Sequence, residues 1–436
     1  MKSGRRNLSG GCVADRSRRR LTKRVTPRDD LPFGEPGGIL IDMYPVLPLK
    51  PDKVASVAFH HPWIFSGALG KHDPTEHGSL VHVADPKGKI LGTGTYSNRG
   101  SIAVRVFEFD KTEITVDWFI KRFQEAQDRR ALMGFGHGTD TTGYRVVFGE
   151  SDNLPGLIVD RYESVLVMQL ATAGIDRLRP LLIEALMRAF QPASLIDRSD
   201  MPGRQDEGLS AHAEIVLGSD PGGVEFTEYG SWFLAEPISG QKTGFYLDQK
   251  DLRREIQRLA ADRRVLNLFS YTGSNGVAAL KGGAKSVHHV DSSEPALALC
   301  GQHLELNSLD PSKMTTECAD VFQWLDAHPK DRYDMIIIDP PALIKSQKDM
   351  ESGRKAYHFL NRAALRMLND GGILVSSSCS AFFTEPDFSF TLRRASVQAE
   401  TTLHPIKVIY QSTDHLVSVY FPEAAYLKSF VCQVRR

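Results

Sequence analysis

The 436-residue sequence predicts an α/β protein with a small β-barrel, a central α+β domain and a doubly wound sheet. From about residue 250 onward, helical segments alternate with short apolar, β-branched segments, which is typical of a mainly parallel sheet with helices on both faces. Short β-rich runs over residues 79–109, broken by Asp-Pro, Lys-Gly and Asn-Arg-Gly turns, predict the barrel. Between these parts, two or three strands, a helix and further strands predict the α+β domain.

Chain length and these patterns divide the sequence into four segments. A chain this long rarely folds around one core, so several domains are expected. We expect a basic disordered tail over residues 1–42, the β-barrel over 43–115, a helical linker and the central domain over 116–222, and the doubly wound sheet over 223–436.

The net charge of zero conceals a basic N-terminus. Residues 1–30 hold ten Lys or Arg against three Asp, and the stretch RSRRRLTKR (16–24) lacks apolar periodicity, which predicts disorder. A solvated tail, an RNA-binding arm and an organelle presequence are the alternatives. A presequence requires an amphipathic apolar face, which is not seen, so a solvated tail or an upstream start codon is favoured.

The cysteines favour a reducing compartment, which we take to be the cytoplasm. They are scattered, with no CxxC pair and no His/Cys cluster at zinc spacing, so the sequence predicts no structural metal. They lie at Cys12, Cys300, Cys318, Cys379 and Cys432. No apolar run is long enough to cross a bilayer, and we expect no membrane partner.

Individual elements follow from periodicity and turn signals. In the central part, helices are predicted over 116–133 and 176–190, and strands over 144–150, 156–162, 164–170, 194–198 and 224–233. In the sheet, strands are predicted over 265–269, 286–290, 314–319, 335–339 and 372–378, and helices over 249–260, 274–282, 293–307 and 355–368. The runs 407–410 and 430–434 lack a long helix between them, which predicts an antiparallel hairpin at the sheet edge.

The turn after the first strand of the sheet predicts a nucleoside-containing cofactor. NLFSYTGSNGVAAL (267–280) places Gly273 and Gly276 between strand and helix, where a ligand approaches the backbone. Asp291 ends the next strand, about where a carboxylate holds a ribose diol. The turn lacks the G-x-G-x-x-G cradle for a pyrophosphate, which favours S-adenosylmethionine over NAD.

The fourth strand ends in Asp339-Pro340-Pro341. Two prolines lock the backbone into a rigid extended turn, so Asp339 is held in the crevice at the end of the sheet. A strand-terminating turn with a capping Asp is the alternative interpretation. The position of Asp339 beside the cofactor turn favours a functional role for this residue.

The fifth strand runs into a thiol in ILVSSSCSAFF (373–383). Parallel sheets place their chemistry at the carboxyl ends of strands, and Cys379 lies at such an end. A thiolate adds readily to an electron-poor ring carbon, but an ordinary thiol, with a pKa of about 8.5, needs local activation. The alternative is a small buried hydrophobe, since free cysteines are among the most buried residues.

The sequence resembles the large-subunit ribosomal RNA (cytosine, carbon 5) methyltransferases, which join an N-terminal PUA domain to a class I methyltransferase domain. The resemblance runs from about Tyr44 to the C-terminus. Its motifs are HPWIFSGAL (61–69), FGESDNLPGLIVDRY (148–162), QKTGFYLDQK (241–250), NLFSYTG (267–273), IIIDPPAL (336–343) and SSSCS (376–380).

This resemblance implies S-adenosylmethionine as cofactor and large-subunit ribosomal RNA, or its precursor, as partner. It implies that Cys379 attacks carbon 6 of the cytosine and that Asp339 orients the base, with Pro340 and Pro341 in the substrate-binding turn. The implied cofactor-binding residues are Phe269, Tyr271, Gly273, Asp291, Asp320, Tyr246, Asp248 and Gln249.

One departure leaves alternatives open. Family members commonly carry an aromatic residue shortly after the two prolines, for stacking on the flipped base, and here the position is Leu343. An amino-group methyltransferase acting on guanine or adenine is one alternative, although the missing aromatic at Leu343 and the thiol of Cys379 both count against it. A non-catalytic RNA-binding or assembly protein is another. A dehydrogenase is disfavoured by the glycine pattern. The oligomeric state stays open, with a homodimer as one candidate.

Overall fold

The structure is a computed structural model that describes residues 44–436, except for the Ser56 side chain. The basic tail predicted over residues 1–42 lies outside the described residues. Among the described residues, no helix is both long and apolar enough to cross a membrane.

The N-terminal part is a five-stranded sheet that closes on itself. Its strands have the order β1-β3-β4-β5-β2. Backbone hydrogen bonds from Lys50 N to Ala68 O, at 2.9 Å, and from Gly70 N to Pro48 O, at 2.7 Å, join the segments that follow the two edge strands. This removes the open edges, as in a barrel. The elements are β1 (Val46–Pro48), α1 (Val54–Ala58), β2 (Trp63–Phe65), β3 (Leu80–Ala84), β4 (Ile90–Tyr96) and β5 (Ile102–Glu108).

The central part is a second five-stranded sheet with the order β10-β9-β8-β7-β6 and helices packed against it. Its long first helix begins where the Thr115 hydroxyl accepts a hydrogen bond from Trp118 N, a typical N-cap. The elements are α2 (Val116–Leu132), β6 (Gly143–Phe148), β7 (Leu157–Tyr162), β8 (Val165–Leu170), α3 (Ala173–Arg177), α4 (Arg179–Phe190), β9 (Ser194–Asp197) and β10 (Glu214–Leu217).

Two predicted elements of the central part were wrong in detail. The helix predicted over 176–190 is two helices that meet at Leu178, because Pro180 fits only the first turn of a new helix. The single strand predicted over 224–233 is a hairpin of β11 (Val224–Glu228) and β12 (Ser231–Ala235). Tyr229 and Gly230 both have positive φ, 46° and 71°, which turns the chain within two residues.

The C-terminal part is a seven-stranded sheet with the order β15-β14-β13-β16-β17-β19-β18. The first five strands are parallel, and β19 is antiparallel to both β17 and β18. The elements are α5 (Lys250–Leu259), β13 (Arg264–Leu268), α6 (Ser274–Lys281), β14 (Ser286–Asp291), α7 (Glu294–Leu306), β15 (Met314–Cys318), α8 (Val321–Ala327), β16 (Tyr333–Ile338), α9 (Met350–Met367), β17 (Leu368–Ser378), α10 (Glu385–Gln398), β18 (Thr402–Tyr410) and β19 (Lys428–Arg435).

Alternating residues of the central strands fill two separate cores. Val265 of β13 and Ile337 of β16 face the core that contains α5 and α6, whereas Leu266 and Ile336 face the core that contains α8, α9 and α10. Strands that are buried on both faces have apolar residues at successive positions, so the apolar segments of the sequence predicted where these strands lie. The predicted doubly wound sheet with a C-terminal antiparallel pair is confirmed, as is the barrel.

Candidate active site

The parallel strands bring five predicted site segments to one edge of the sheet. The turn 269–273 follows β13 and Asp291 ends β14, while Asp339 follows β16 directly and Cys379 follows β17 directly. Since β14, β13, β16 and β17 are neighbours in that order, these residues form a row along the carboxyl edge. Asp320 follows the outermost parallel strand, β15, and lies at the end of the row.

The turn after β13 has an unusual backbone. Phe269 and Tyr271 have φ values of 57° and 49°, and Gly273 has a φ of 77°. A positive φ at a non-glycine residue costs roughly 1–2 kcal/mol, so something must hold the turn in place. The Asp291 carboxylate does so, because its Oδ2 accepts a hydrogen bond from Tyr271 N at 2.8 Å. Its other oxygen accepts from Ser293 N at 2.8 Å.

Gly273 lies in the turn, whereas Gly276, which the sequence placed there too, lies in the first turn of α6, and both make room for the protein's own side chains. A Cβ on Gly273 would lie 2.6 Å from Cys300 Sγ, and one on Gly276 would lie 2.2 Å from His289 Cε1. Burial lowers the pKa of His289 to about 3, so it packs there as a neutral ring. The glycines therefore let the turn pack tightly against β14 and α7.

Buried oxygens beside this turn fit a polar ligand. Ser270 Oγ, Thr272 Oγ1 and Asn275 Oδ1 are buried and have no hydrogen-bond partner in the described part of the chain. Buried polar atoms are normally paired, so a group of them at one turn indicates a place for donors from a bound molecule. The residues present thus suit the nucleoside cofactor that the sequence predicts.

The segment that precedes α5 packs onto the same turn. The rings of Tyr246 and Tyr271 meet edge to face with centroids 5.3 Å apart. Gln241 ties the two residues together, because its backbone N donates to the Tyr271 hydroxyl at 3.0 Å and its Oε1 accepts from the Tyr246 hydroxyl at 2.5 Å. Burial raises the pKa of Tyr246, and the charges of Asp339 and Cys379 raise it further, so Tyr246 is also near those strand ends.

Asp248 and Gln249 of this segment make different contacts. Asp248 Oδ2 accepts from Lys242 Nζ at 2.7 Å and from the Tyr426 hydroxyl at 2.6 Å. Burial acts to raise the pKa of Asp248, but the Lys242 ammonium, the His415 ring and the hydrogen bonds from Lys242 and Tyr426 hold that pKa well below its usual range. Gln249 Nε2 donates to Asp339 Oδ2 at 2.6 Å, so two predicted site residues are in direct contact.

The carboxyl of Asp339 and the thiol of Cys379 are both hard to ionise. Burial raises the pKa of Asp339 to about 6, with a further increase from the Asp248 charge and an opposing effect of the Gln249 hydrogen bond. Burial and the Asp339 charge raise the pKa of Cys379 to about 11, which the Lys242 ammonium only partly offsets. Pro340 is buried and Pro341 is exposed in the turn beyond Asp339.

Two predicted cofactor residues, Asp320 and Phe269, contact α8. Asp320 is exposed and caps α8, where its Oδ1 accepts from Gln323 N at 3.0 Å. The Phe269 ring packs edge to face against Phe322 of α8, with centroids 6.1 Å apart. A hydrogen bond from Ala319 N to Asp291 O, at 2.9 Å, keeps the end of β15 beside Asp291.

Sequence reasoning missed one titratable residue of the site, Lys428. It begins β19 and pairs in register with Ser378, the residue before Cys379. Its Nζ donates to Ser380 O at 2.7 Å and to Tyr426 O at 3.1 Å. Burial lowers the pKa of Lys428 to about 8. The strand predicted over 430–434 begins two residues too late to include it, and no motif singled it out.

A second cluster of titratable residues lies in the central part, away from this edge. Asp197, His212 and Glu214 offer ligand atoms within 4.8 Å of one another. Arg179 already bonds both carboxylates, with Nε 2.9 Å from Asp197 and a second nitrogen 2.5 Å from Glu214. The cluster is therefore an ion-pair network in which Arg179 offsets part of the carboxylate charge.

Comparison with known proteins gives the class first. A model of S-adenosylmethionine-dependent methyltransferases matches residues 210–414, and a model of PUA-like domains matches residues 47–109. The crystal structure of SMU.776 complexed with SAH superposes with a TM-score of 0.77 at 25% identity, covering 89% of this chain and 99% of that one. The protein is an S-adenosylmethionine-dependent methyltransferase of class I fold with an N-terminal PUA-like domain.

Curated relatives then give the family. "Ribosomal RNA large subunit methyltransferase I" of Serratia proteamaculans is 40% identical over 384 residues, which cover 87% of this chain and 96% of the relative. The protein of the same name from Klebsiella pneumoniae is 38% identical over 397 residues, 90% of this chain and 99% of the relative. The chain belongs to this family, as the motifs in the sequence predicted.

Proposed function

We propose that this protein forms 5-methylcytosine in large-subunit (23S) ribosomal RNA through a covalent adduct with Cys379. The observation that carries the proposal is the pairing of β16 with β17, in which Ile338 lies opposite Ser376. The carboxyl of Asp339 and the thiol of Cys379 therefore follow adjacent strands, and the Asp339 charge raises the pKa of Cys379. The names of the curated relatives support the RNA substrate.

In this mechanism the thiolate of Cys379 adds to carbon 6 of the cytosine, which makes carbon 5 nucleophilic. S-adenosylmethionine, when bound, supplies the methyl group that carbon 5 takes. Asp339 contacts ring N3 or the exocyclic amine, where charge develops during the addition. Its raised pKa suits this role, because a protonated carboxyl can donate a hydrogen bond to N3. Gln249 fixes the orientation of the Asp339 carboxyl.

The cofactor is proposed to lie along the turn after β13. Asp291 would accept from the ribose hydroxyls, since each of its oxygens has a second lone pair beyond the backbone N–H that it already binds. The remaining proposed contacts come from the turn, from the segment before α5 and from the end of β15. They are Phe269, Tyr271, Gly273, Tyr246, Asp248, Gln249 and Asp320.

The other parts of the chain are proposed to serve the RNA. We assign the PUA-like barrel, over residues 43–115, to RNA binding, residues 116–222 to a central supporting domain and residues 223–436 to catalysis. Pro340 and Pro341 would form the floor under the target base. We propose that the reaction takes place in the cytoplasm. A homodimer stays a prediction, as does the disordered basic tail.

Covalent trapping tests this function. The protein is mixed with S-adenosylmethionine and large-subunit RNA that carries 5-fluorocytidine, and the products are separated under denaturing conditions. Fluorine cannot leave as a proton does, so the wild-type protein should stall as an RNA adduct. Cys379→Ala should form none. Cys318→Ala, which removes the exposed thiol at the end of β15, should form as much adduct as the wild type.

A different result would point to another chemistry. If no adduct forms and Cys379→Ala still methylates normal RNA, the cysteine mechanism is wrong. Amino-group methylation of guanine or adenine would then be the favoured function, and nucleoside analysis of the methylated RNA would identify the product. If neither protein transfers a methyl group to RNA, a binding or assembly role would replace catalysis.

A further inference from the structure

We propose that Lys428 is the proton acceptor that activates the Cys379 thiol, an inference that rests on the function proposed above. Lys428 Nζ lies 2.7 Å from the carbonyl of Ser380, the residue that follows Cys379. Lys428 is 6% exposed, so water competes little for its hydrogen bonds. Antiparallel pairing of β19 with β17 fixes the position of Lys428 beside the thiol-bearing loop.

The hydrogen bonds of Lys428 suit a neutral amine. A neutral lysine has two N–H groups and one lone pair, whereas the ammonium has three N–H groups and none. Two carbonyl oxygens, those of Ser380 and Tyr426, accept from Nζ at 2.7 and 3.1 Å. Both N–H groups of the neutral form are thereby satisfied, and the lone pair is left to accept a proton.

The thiol needs such a partner. Burial and the Asp339 charge raise the pKa of Cys379 to about 11, so the thiol is almost wholly protonated at neutral pH until a base takes its proton. Burial lowers the pKa of Lys428 to about 8, which makes its neutral form accessible there, and the charge of Cys379 acts in the opposite direction. The ammonium that forms beside the thiolate stabilises it by attraction.

The other charged groups near Cys379 and Lys428 either bond to another residue already or carry a negative charge, which does not stabilise a thiolate. Lys242, the other cation that affects the thiol, is bonded to Asp248 and lies over the Tyr246 ring, 4.1 Å from its centroid. Glu385 at the start of α10 raises the pKa of Lys428 and is itself bonded to Tyr410. The titratable groups that face the thiol or the amine are Lys242, Tyr246, Asp248, Asp339, Tyr357 and Glu385.

The proton balance is simple. The Cys379 S–H bond breaks, its electron pair stays on sulfur, and the proton forms a new bond with the lone pair of Lys428 Nζ. The thiolate adds to carbon 6 of the cytosine. After methyl transfer, the carbon 5 proton leaves to water, the carbon 5–carbon 6 double bond re-forms and the thiolate is expelled. The thiolate then takes the proton back from the Lys428 ammonium, which restores both groups.

Alkylation of Cys379 tests this inference without RNA. The purified protein is treated with iodoacetamide from pH 6 to 10, and mass spectrometry follows the peptide that contains Cys379. An opposite charge nearby lowers a pKa by about 1–3 units, so Lys428→Met should slow alkylation of Cys379 at pH 7.5 by about 10- to 1000-fold. Because the Cys379 pKa of about 11 lies above this range, the alkylation rate should rise throughout it, and the Lys428→Met profile should be displaced to higher pH.

Two further variants make the result interpretable. Lys281→Met removes another partly buried lysine, whose Nζ donates to Gly230 O far from the thiol, and should leave the Cys379 profile unchanged. If Lys428→Met does not fold, judged by circular dichroism and S-adenosylmethionine binding, Lys428→Gln retains a donor for Ser380 O and should show the same shift.

An unchanged Cys379 profile in a folded Lys428 variant would overturn the inference. Failure of the proposed function would look different, because it would appear as no fluorocytidine adduct in the wild type while the alkylation profile still depended on Lys428. Methyl transfer by Lys428→Met should fall in parallel with alkylation and recover partly as the pH is raised toward 10. A loss that does not recover at high pH would assign Lys428 a packing role.

Discussion

Gln249 and Asp339 meet through a hydrogen bond of 2.6 Å from Gln249 Nε2 to Asp339 Oδ2. Ninety positions separate them in the sequence. Gln249 precedes α5, while Asp339 directly follows the central strand β16, so the contact joins the segment before α5 to the proposed base-binding residues. The amide of Gln249 holds a carboxyl that burial otherwise drives toward its protonated form.

Asp339→Asn should stabilise the fold at neutral pH while abolishing methyl transfer. Folding raises the Asp339 pKa from 3.8 to about 6. The protonated carboxyl therefore contributes fully to the stability of the folded protein below pH 3.8, and that contribution is lost as the pH rises through 6. Because Asp339 is partly exposed, we take this difference in pKa to correspond to about 1–2 kcal/mol of the free energy of unfolding. Urea unfolding at pH 5 and pH 8 should show the variant gaining more at pH 8. A gain that shrinks at pH 8 would contradict the raised pKa.

Gly273→Ala should disturb the cofactor turn. Its φ of 77° is unfavourable for alanine, and the new Cβ would lie 2.6 Å from Cys300 Sγ, so we expect a loss of stability of about 2–4 kcal/mol. S-adenosylmethionine affinity, measured by isothermal titration, should fall at least about tenfold if the contact is worth about 1.4 kcal/mol. Gly283→Ala is the control, because Gly283 has a similar φ of 87° but a Cβ added there would lie 3.8 Å from the nearest atom, Ala261 Cα. Equal affinity losses in both variants would argue against a local role.

Asp320 has a capping role in the structure and a proposed cofactor role, and two variants separate them. Asp320→Ala should lower the stability of the protein by about 1 kcal/mol, whereas Asp320→Ser should keep the cap on α8. If the carboxylate also contacts the adenine, both variants should weaken S-adenosylmethionine binding by a similar factor. Unfolding and calorimetric titration measure the two effects. Wild-type affinity in Asp320→Ser would reduce Asp320 to a helix cap.

Lys250 and Asp414 form a buried ion pair whose two side chains have no exposed surface. Lys250→Met should destabilise the protein by about 3–5 kcal/mol, because it removes the ammonium partner of a buried charge and leaves Asp414 only the Arg145 backbone N and the His415 ring. Lys355→Met is the matched surface control. It removes an exposed pair with Glu351, and its effect should stay below about 1 kcal/mol. Urea denaturation measures both, and Asp414→Asn should restore part of the stability lost in Lys250→Met. Similar losses at the two sites would contradict this account.

Local sequence patterns were sufficient for the architecture but not for every boundary. Apolar runs buried on both faces located the five parallel strands, and the missing helix between residues 410 and 430 indicated the antiparallel pair. The hairpin at Tyr229 and Gly230 was missed, because its two residues do not interrupt the β-rich composition around them. The break at Leu178 was missed for a similar reason, since the apolar periodicity continues through it.

The sequence by itself determined which side chains lie on the carboxyl edge of the sheet. Asp291, Asp339 and Cys379 end parallel strands, and strand direction alone brings such residues to one edge. Only the tertiary structure decided which groups touch: Gln249 with Asp339, and Lys428 with the loop of Cys379. Those contacts depend on how segments distant in sequence pack together. That packing also sets burial, and burial determines how readily the carboxyl, the thiol and the amine ionise.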